Sequence, residues 1–277
     1  MVALSMALVL SACHEVLVPL HQQAPATEET EEEAPALMRV AACWAALPMV
    51  EDLAAAYAVR DPYLTIDVVP ANSMTARSML EAGQVDVAIV AEDPDARAAR
   101  PRQGFTSRVL ALDAVTVVVN RRSPLTGLST AQLMGLYTGD YYDWSQLGAG
   151  EGRPEVVVRD EGSMLRGVFE AAVMEQRQPA STAVVMPHDR GVIEYVAGHP
   201  NAIGYVSRAY VGQGVKSIAV DGVAPTPQAL QRQGYMMWYT LEALAPSNAT
   251  LHATRFLAFA QSSRGRNVIE QRYVLPR

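Results

Sequence analysis

Short apolar runs alternate with amphipathic helical segments from residue 37 to the C-terminus, and this alternation constrains the fold more than any other feature. Runs such as Val85–Ala91 and Leu110–Asn120 are largely apolar on both faces, which is typical of strands buried inside a sheet. Intervening segments such as Pro48–Val59 place apolar residues three and four positions apart, as an amphipathic helix does. The pattern predicts an α/β fold with mixed sheets flanked by helices.

Further segments of both kinds complete the alternation and create three strand–loop–helix junctions. Strands are predicted at residues 37–42, 64–69, 155–158, 202–206 and 216–220, and helices at residues 74–83, 129–137, 191–197, 248–262 and 265–271, with another helix starting at residue 165. The junctions lie at residues 42–48, 70–75 and 159–165. Ligands of open α/β sheets bind beyond the carboxyl ends of strands, and helix N-termini favour anions. The junctions therefore predict a site for an anion or another polar ligand.

The first twelve residues are apolar and uncharged, and they are too few to span a bilayer as a helix. The segment Leu10-Ser11-Ala12-Cys13 resembles a bacterial lipobox, in which two small residues precede the cysteine that accepts lipid. Residues 1–13 are therefore predicted to be a lipoprotein signal peptide with lipidation at Cys13. No Lys or Arg precedes the apolar run, which departs from signal peptides. The alternative is a short buried segment with an ordinary core cysteine.

Residues 14–37 combine prolines with a cluster of glutamates and predict a disordered, acidic tether. The formal net charge of −7 comes from 29 acidic and 22 basic residues. Six of the acidic residues lie in residues 1–36, which hold no Lys or Arg, so the rest of the chain is almost neutral. Because no basic stripe is visible, no nucleic-acid partner is expected.

Cysteine and histidine are sparse in this chain. Its two cysteines are Cys13 and Cys43, and its five histidines are scattered. Neither set has the spacing of a metal site, so no metal or cofactor is expected. No nucleophile, base and orienting acid stand out together, so the chain is predicted not to be an enzyme. A hydrolase acting in a cleft is the least favoured alternative.

Several motifs occur in an order and spacing that match one family. They are LDAVTVVVN at residues 112–120, LYTGD at 136–140, DW at 143–144, NAIGYV at 201–206, DGVAPTP at 221–227 and FLAF at 256–259. Over residues 40–277 the chain resembles the phosphate-type substrate-binding proteins of bacterial ABC transporters (PstS-like), which have a periplasmic-binding-protein type II fold. The match is collinear over nearly the whole folded region.

The resemblance implies two lobes joined by two crossings, with lobe one formed by residues 38–118 plus 207–277 and lobe two by residues 119–206. It implies a monomeric extracytoplasmic protein that delivers a small anionic solute to an ABC transporter permease. Together with the lipobox, it implies attachment to the bacterial cell membrane through the lipid anchor alone. The alternative is a ligand sensor or scaffold outside transport, with a degenerate phosphate site.

The third junction keeps part of the family's phosphate cradle. The family reads approximately R-E-x-G-S-G-T-R there, and residues 159–166 of this chain read RDEGSMLR. Arg159 keeps the position of the ligand-binding arginine, whose planar guanidinium suits an oxyanion. Gly162 and Ser163 are also kept. Met164 and Leu165 replace a glycine and a threonine, so one hydroxyl is lost and bulk is added.

The other junctions depart further from the family. Where the first junction of the family reads G-S-T-T, residues 42–45 read ACWA, so the hydroxyl donors of this junction are lost. The second junction keeps one serine, and an acidic residue follows the third strand. The ligand-binding residues predicted at these two junctions and after the third strand are Cys43, Trp44, Ala45, Ser73 and Glu92. The expected ligand is phosphate, another oxyanion, or a carboxylate joined to an apolar part.

Each of these residues also has a purely structural interpretation. Arg159 could serve merely in a structural salt bridge with Asp160 or Glu161, and Ser163 could serve merely as a helix cap. Trp44 could belong to the core instead of the cleft wall. The remaining expectations are a buried small thiol at Cys43 and a salt bridge, not a ligand contact, at Arg166.

The replaced residues distinguish the two candidate functions. A gap that Arg159 and Ser163 both face would favour the receptor. A cleft filled by Met164, Leu165 and Trp44 would favour the sensor or scaffold.

Overall fold

The computed structural model of the chain describes residues 36–94, 104–212 and 214–277. The predicted signal peptide, the lipidation site at Cys13 and nearly all of the predicted tether lie outside these residues. The described strands are β1 (Ala36–Cys43), β2 (Leu64–Ala71), β3 (Val87–Glu92), β4 (Phe105–Asn120), β5 (Gly127–Leu128), β6 (Glu155–Arg159), β7 (Val184–Met186), β8 (Ala202–Ser207), β9 (Val215–Ser217), β10 (Ala219–Val220) and β11 (Trp238–Pro246).

The described α-helices are α1 (Leu47–Ala58), α2 (Ser73–Glu81), α3 (Thr130–Thr138), α4 (Met164–Phe169), α5 (Asp189–Gly198), α6 (Pro227–Gln231), α7 (Leu251–Gln261) and α8 (Ser263–Glu270). Short 3-10 helical segments occur at Trp44–Ala46, Trp144–Leu147 and Arg208–Tyr210, and a π-helical segment at Glu170–Met174 continues α4. Most predicted elements are therefore confirmed within a few residues at each end. The strand predicted at 216–220 is divided into β9 and β10.

Nine of the described strands form one mixed sheet in the order β2-β1-β3-β11-β4-β8-β6-β7, with β9 paired to β4. Strands β1, β2 and β3 are parallel to one another, and so are β6, β7 and β8. Between these sets, β11 and β4 pair in an antiparallel manner. The α/β fold with mixed sheet and flanking helices predicted from the sequence is confirmed.

The long strand β4 joins the two sets of parallel strands. Its first part pairs with β11, where Asp113 lies opposite Tyr239, and its last part pairs with β8, where Val115 lies opposite Ser207. The carboxyl ends of β3 and β8 approach the middle of β4 from opposite directions. The loops that follow the parallel strands of both sets therefore meet near one place. The division into two lobes stays a prediction, because the strands on either side of β4 belong to one continuous sheet.

Helices cover the sheet and complete the core. Helix α1 packs on α7 and α8, and Tyr57 of α1 contacts Phe256 and Phe259 of α7 edge-on, with ring centroids 5.7 and 5.2 Å apart. Helix α2 packs on β1 and β3, and α5 packs on β8 and β4. Burial of these aromatic and aliphatic side chains supplies most of the driving force for folding.

The central strand β11 is the largest element that sequence reasoning missed. It contains Thr240 and Glu242, which are both buried although their side chains are polar. Glu242 accepts hydrogen bonds from the hydroxyls of Ser107 and Thr240. These polar positions interrupt the apolar run by which a buried strand is recognised. No helix within the described ranges is long and apolar enough to cross a membrane.

Candidate functional site

The three predicted junctions meet around a small void at the middle of β4. Eight of the ten predicted ligand residues line it, and Asn72 and Ala91 complete the lining: Cys43, Trp44, Ala45, Asn72, Ser73, Ala91, Arg159, Ser163, Met164 and Leu165. The void has a volume of about 10 Å³. This is about the space that one water molecule requires, so the walls lie almost in contact.

The first junction, at the end of β1, is fixed from behind by two tyrosines. The hydroxyl of Tyr210 donates a 2.7 Å hydrogen bond to the carbonyl of Trp44, and that of Tyr273 donates a 2.7 Å bond to the carbonyl of Ala45. Burial raises the pKa of Tyr210 and Tyr273, so both phenols stay neutral donors. The 3-10 segment is therefore held against the void by its main chain.

Cys43 is the small buried residue that was expected, with 2% of its surface exposed. Burial raises the pKa of its thiol to about 12, although hydrogen bonds with the Ala46 main chain, the Ser73 hydroxyl and the Ala91 main chain lower it. The thiol therefore stays protonated and unreactive at neutral pH. The thiol also takes part in hydrogen bonds with groups of the first and second junctions.

The second junction connects β2, α2 and β3. Asn72 caps α2, because its Oδ1 accepts a 2.8 Å hydrogen bond from the Thr75 main chain. The Ser73 hydroxyl accepts a 3.0 Å hydrogen bond from the main-chain N–H of Ala91 at the end of β3. A Cβ at Gly162 would come within 2.5 Å of Asn72 Nδ2, so the third junction packs directly on the second. Glycine at 162 permits this close approach.

Arg159, the last residue of β6, is 1% exposed. Its Nε and Nη2 donate hydrogen bonds of 3.2 and 3.0 Å to the main-chain carbonyls of Met186 and Pro187. Its Nη1 lies 2.9 Å from Oδ2 of Asp189. The guanidinium at the edge of the void is therefore held by two main-chain carbonyls and one buried ion pair.

Two structural interpretations of the third junction are corrected and one is confirmed. The ion-pair partner of Arg159 is Asp189 at the start of α5, not Asp160 or Glu161. Arg166 forms the expected salt bridge, at 2.7 Å to Glu170. Its side chain also donates to the Arg159 carbonyl, which helps to fix the junction.

Ser163 precedes α4 but does not cap it through its side chain. Ser163 lines the void and its side chain makes no capping hydrogen bond, so the interpretation of Ser163 as a side-chain cap only is wrong. Trp44 is half-buried and lies at the wall, where its ring contacts the ring of His188 with centroids 5.2 Å apart. The indole therefore belongs to the edge of the void and not to the interior of the core.

A larger cavity of about 560 Å³ adjoins the void and shares Ser73, Ala91, Ser163 and Met164 with it. The two remaining predicted ligand residues, Glu92 and Gly162, line this outer cavity and not the void. Glu92 is paired with Arg77 of α2. The carboxylate of Glu92 is therefore neutralised and does not take the position of a polar residue inside the void.

Sequence reasoning missed the residues behind Arg159. Asp189 is fully buried, and its Oδ1 accepts a 2.7 Å hydrogen bond from the Ser207 main chain. His188 caps α5 by accepting from the Gly191 main chain. An acid just before a predicted helix was the available signal, but its pairing with a residue 30 positions earlier depends on the fold.

The chemistry available at the void is the binding of an anion. Within the described ranges no group of His, Cys, Asp and Glu side chains could hold a metal ion. The polar groups that line the void are one guanidinium, two serine hydroxyls, the Asn72 carboxamide and the Cys43 thiol, and the other lining side chains are apolar. Such a set can bind an oxyanion by charge-assisted hydrogen bonds.

Known proteins have related sequences and structures. The phosphate-binding protein PstS of Bacillus subtilis (strain 168) is 24% identical over 241 residues, which cover 84% of this chain and 77% of the relative. A chain described as a phosphate ABC transporter substrate-binding protein of Clostridium perfringens, with bound phosphate, superposes with a TM-score of 0.79 at 22% identity, covering 87% of this chain and 99% of that chain.

A phosphate transport receptor of the ABC type from Vibrio cholerae superposes with a TM-score of 0.69 at 26% identity, covering 86% of this chain and 100% of the receptor. The predicted resemblance to phosphate-type substrate-binding proteins is therefore confirmed. The profile of the family described as "PBP superfamily domain" matches residues 29–264. The chain belongs to this family of periplasmic-binding-protein domains.

Proposed function

We propose that this chain is the substrate-binding component of a phosphate-type ABC transporter and that it binds phosphate or another small oxyanion against Arg159. The observation that carries the proposal is a guanidinium that is 1% exposed, lines the void and is backed by an ion pair with Asp189. A hydrogen bond to a charged group contributes about 1.5–3 kcal/mol. An anion oxygen that accepts from this guanidinium would gain such a contribution.

The volume of about 10 Å³ requires the site to open before an oxyanion enters. The two-lobed arrangement proposed from sequence, with residues 38–118 plus 207–277 in one lobe and 119–206 in the other, would allow this. Arg159, Gly162, Ser163, Met164 and Leu165 would then approach the ligand from the second lobe. Cys43, Trp44, Ala45, Ser73 and Glu92 would approach it from the first lobe.

The proposal also places the chain in the cell. Cys13 would carry the lipid, and residues 14–37 would connect it to the folded region outside the membrane. A monomer would deliver its solute to a permease, binding it without transforming it. This arrangement agrees with the relatives, which are named as phosphate-binding proteins.

A second candidate function is a ligand sensor or scaffold that no longer binds phosphate. The small void favours it, because Met164, Leu165 and Trp44 reach the space that a ligand would occupy. The two candidates differ in one measurable property, which is the affinity for inorganic phosphate.

Isothermal titration of the phosphate-free protein with inorganic phosphate tests the proposal. We expect saturable binding, and at least tenfold weaker binding for Arg159→Lys, which keeps the charge that faces Asp189 but loses the planar fork. The matched control is Arg39→Lys, the same change at an exposed residue that is paired with Asp67 and does not line the void. Binding by the control should equal that of the unchanged protein.

Absence of phosphate binding, confirmed by the absence of any thermal shift with phosphate, sulfate or carboxylates, would favour the sensor or scaffold. Equal binding by the Arg159→Lys variant would place the site elsewhere.

A further inference from the structure

A continuous row of buried polar groups runs from Arg159 away from the void toward the centre of the sheet. Asp189 Oδ2 faces Arg159, and Asp189 Oδ1 accepts a 2.7 Å hydrogen bond from the Ser207 main chain. The Ser207 hydroxyl donates a 2.5 Å hydrogen bond to Oδ2 of Asp113, and the Tyr239 hydroxyl donates a 2.7 Å bond to the same oxygen. All five residues are at most 1% exposed.

The row contains two carboxylates behind one guanidinium. Asp189 lies against Arg159, so it already balances the charge of this residue. Asp113 lies where β4 changes its pairing from β11 to β8, and it has no side-chain ion pair within the described ranges. Burying a charge without such a pair is costly, and a carboxyl group in this position responds by binding a proton.

The groups around Asp113 come from every element packed on it. Tyr239 (β11) and Ser207 (β8) donate to its carboxylate, and the Ala114 N–H donates a 2.8 Å hydrogen bond to Oδ1. Arg208, in the 3-10 segment after β8, is the nearby cation and lowers the pKa of Asp113. The charge of Asp113 in turn raises the pKa of Tyr273 in the C-terminal segment.

Burial dominates these influences on Asp113. It raises the pKa of Asp113 to about 6, against the lowering by Ser207, Tyr239, the Ala114 N–H and Arg208. The pKa of Tyr239 is raised by burial first and by the charge of Asp113 next, so this phenol remains a neutral donor. Asp113 is therefore the member of the row that changes its protonation near neutral pH.

An anion at the void adds negative charge to a row that already holds two carboxylates. The added charge favours the neutral form of the carboxyl group that is able to accept a proton. We propose that Asp113 binds a proton from the solvent when an anion binds at Arg159, so that the chain takes up its solute and a proton together. This inference rests on the proposed function, because it requires an anion at Arg159.

Calorimetric titration with inorganic phosphate in two buffers of different ionisation enthalpy measures the protons taken up per bound anion. The measurement is made at a pH near 6, where Asp113 changes its protonation. Phosphate itself titrates in this range, so the informative quantity is the difference between the unchanged protein and Asp113→Asn. We expect the unchanged protein to take up more protons, by up to about half a proton per anion, because Asp113 is already about half protonated at a pH equal to its pKa.

The control is Asp143→Asn, which removes a carboxylate whose pKa is lowered by its hydrogen bonds with Ser145. It should take up as many protons as the unchanged protein. Ser207→Ala provides a second test should Asp113→Asn fold poorly. Loss of the Ser207 hydrogen bond should raise the pKa of Asp113 further, so the proton uptake should move to higher pH.

The outcomes separate the two proposals. Phosphate binding with equal proton uptake in the unchanged protein and in Asp113→Asn, or with no displacement in Ser207→Ala, overturns the proton proposal and leaves the receptor intact. Absence of phosphate binding in all variants overturns the receptor, and the proton proposal fails with it.

Discussion

The side of the void formed by β1, α2 and β3 and the side formed by β6 and α4 differ in what they offer an anion. The first side presents a thiol, an indole, alanine methyl groups, the carboxamide of Asn72, whose oxygen caps α2, and one serine that is already bonded to Ala91. The second presents Ser163 and a guanidinium backed by Asp189. Recognition of charge is thus concentrated on one side, and the other side mainly encloses the ligand.

This difference changes the role expected of each side relative to the phosphate-type pattern. Hydroxyl donors on both sides would share an oxyanion between them. Here residues 43 and 44 are a cysteine and a tryptophan, which supply no hydroxyl, and Leu165 replaces a threonine of the family pattern. Because each hydrogen bond to a charged group contributes about 1.5–3 kcal/mol, the remaining affinity should depend strongly on Arg159.

The largest effect is expected where the charged side is dismantled. Arg159→Gln leaves the carboxylate of Asp189 buried without its partner, which should destabilise the protein by about 3–5 kcal/mol. Adding Asp189→Asn should restore much of the free energy of unfolding without restoring phosphate binding. Urea denaturation of the single and double variants measures both effects.

Arg39→Gln is the control for this prediction, because the pair of Arg39 with Asp67 is about half exposed and should contribute only about 0–1 kcal/mol. A loss of stability in Arg159→Gln no greater than in this control would contradict the importance assigned to the buried pair.

The next effect concerns the row behind the charged side. The pKa of Asp113 is raised in the folded protein from 3.8 to about 6, so the folded state binds more protons than the unfolded state between these values. The contribution of this group to stability is therefore present below this window and is lost as the pH rises through it, by at most about 3 kcal/mol. Asp113→Asn should lack this loss.

Denaturation midpoints of the unchanged protein and of Asp113→Asn, measured across this pH window, test the sign and the size of the predicted loss of stability. The stability of the unchanged protein should fall relative to Asp113→Asn as the pH rises. A difference between the two proteins that stays constant with pH would show that Asp113 does not titrate there.

The smallest effect is expected on the apolar side. Cys43→Ser places a hydroxyl donor near Ser73 and Ala91 and should tighten phosphate binding by up to about tenfold. Cys43→Ala removes the sulfur without adding a donor and is the matched control. Equal phosphate affinities in the two variants would indicate that the first side makes no polar contact even when a donor is supplied.

The sequence predicts much of this arrangement, because its signals are local. The three junctions follow from apolar strands that end before helix starts, and they do meet at one void. The burial of Cys43 and the salt bridge of Arg166 are also confirmed. Each of these expectations depends on a few neighbouring residues.

The features that sequence reasoning missed depend on pairing between distant segments. Strand β11 contains buried Glu242, which is tolerated because Ser107 and Thr240 donate to it. Asp189 was not recognised as the partner of Arg159, because the two residues are 30 positions apart and come together only when β6 and β8 pair. The near closure of the void is likewise a result of packing between Met164, Leu165 and the first junction.

A crystal structure of the protein grown with saturating inorganic phosphate tests most directly whether Arg159 and Ser163 bind an oxyanion at the void. We expect a phosphate between the two sides, with an oxygen within hydrogen-bonding distance of Arg159 Nη1 and of the Ser163 hydroxyl. Met164 and Leu165 should be displaced from their present contacts. A structure in which the void remains closed, while phosphate is absent or bound elsewhere and Arg159 contacts only Asp189, Met186 and Pro187, would contradict this expectation.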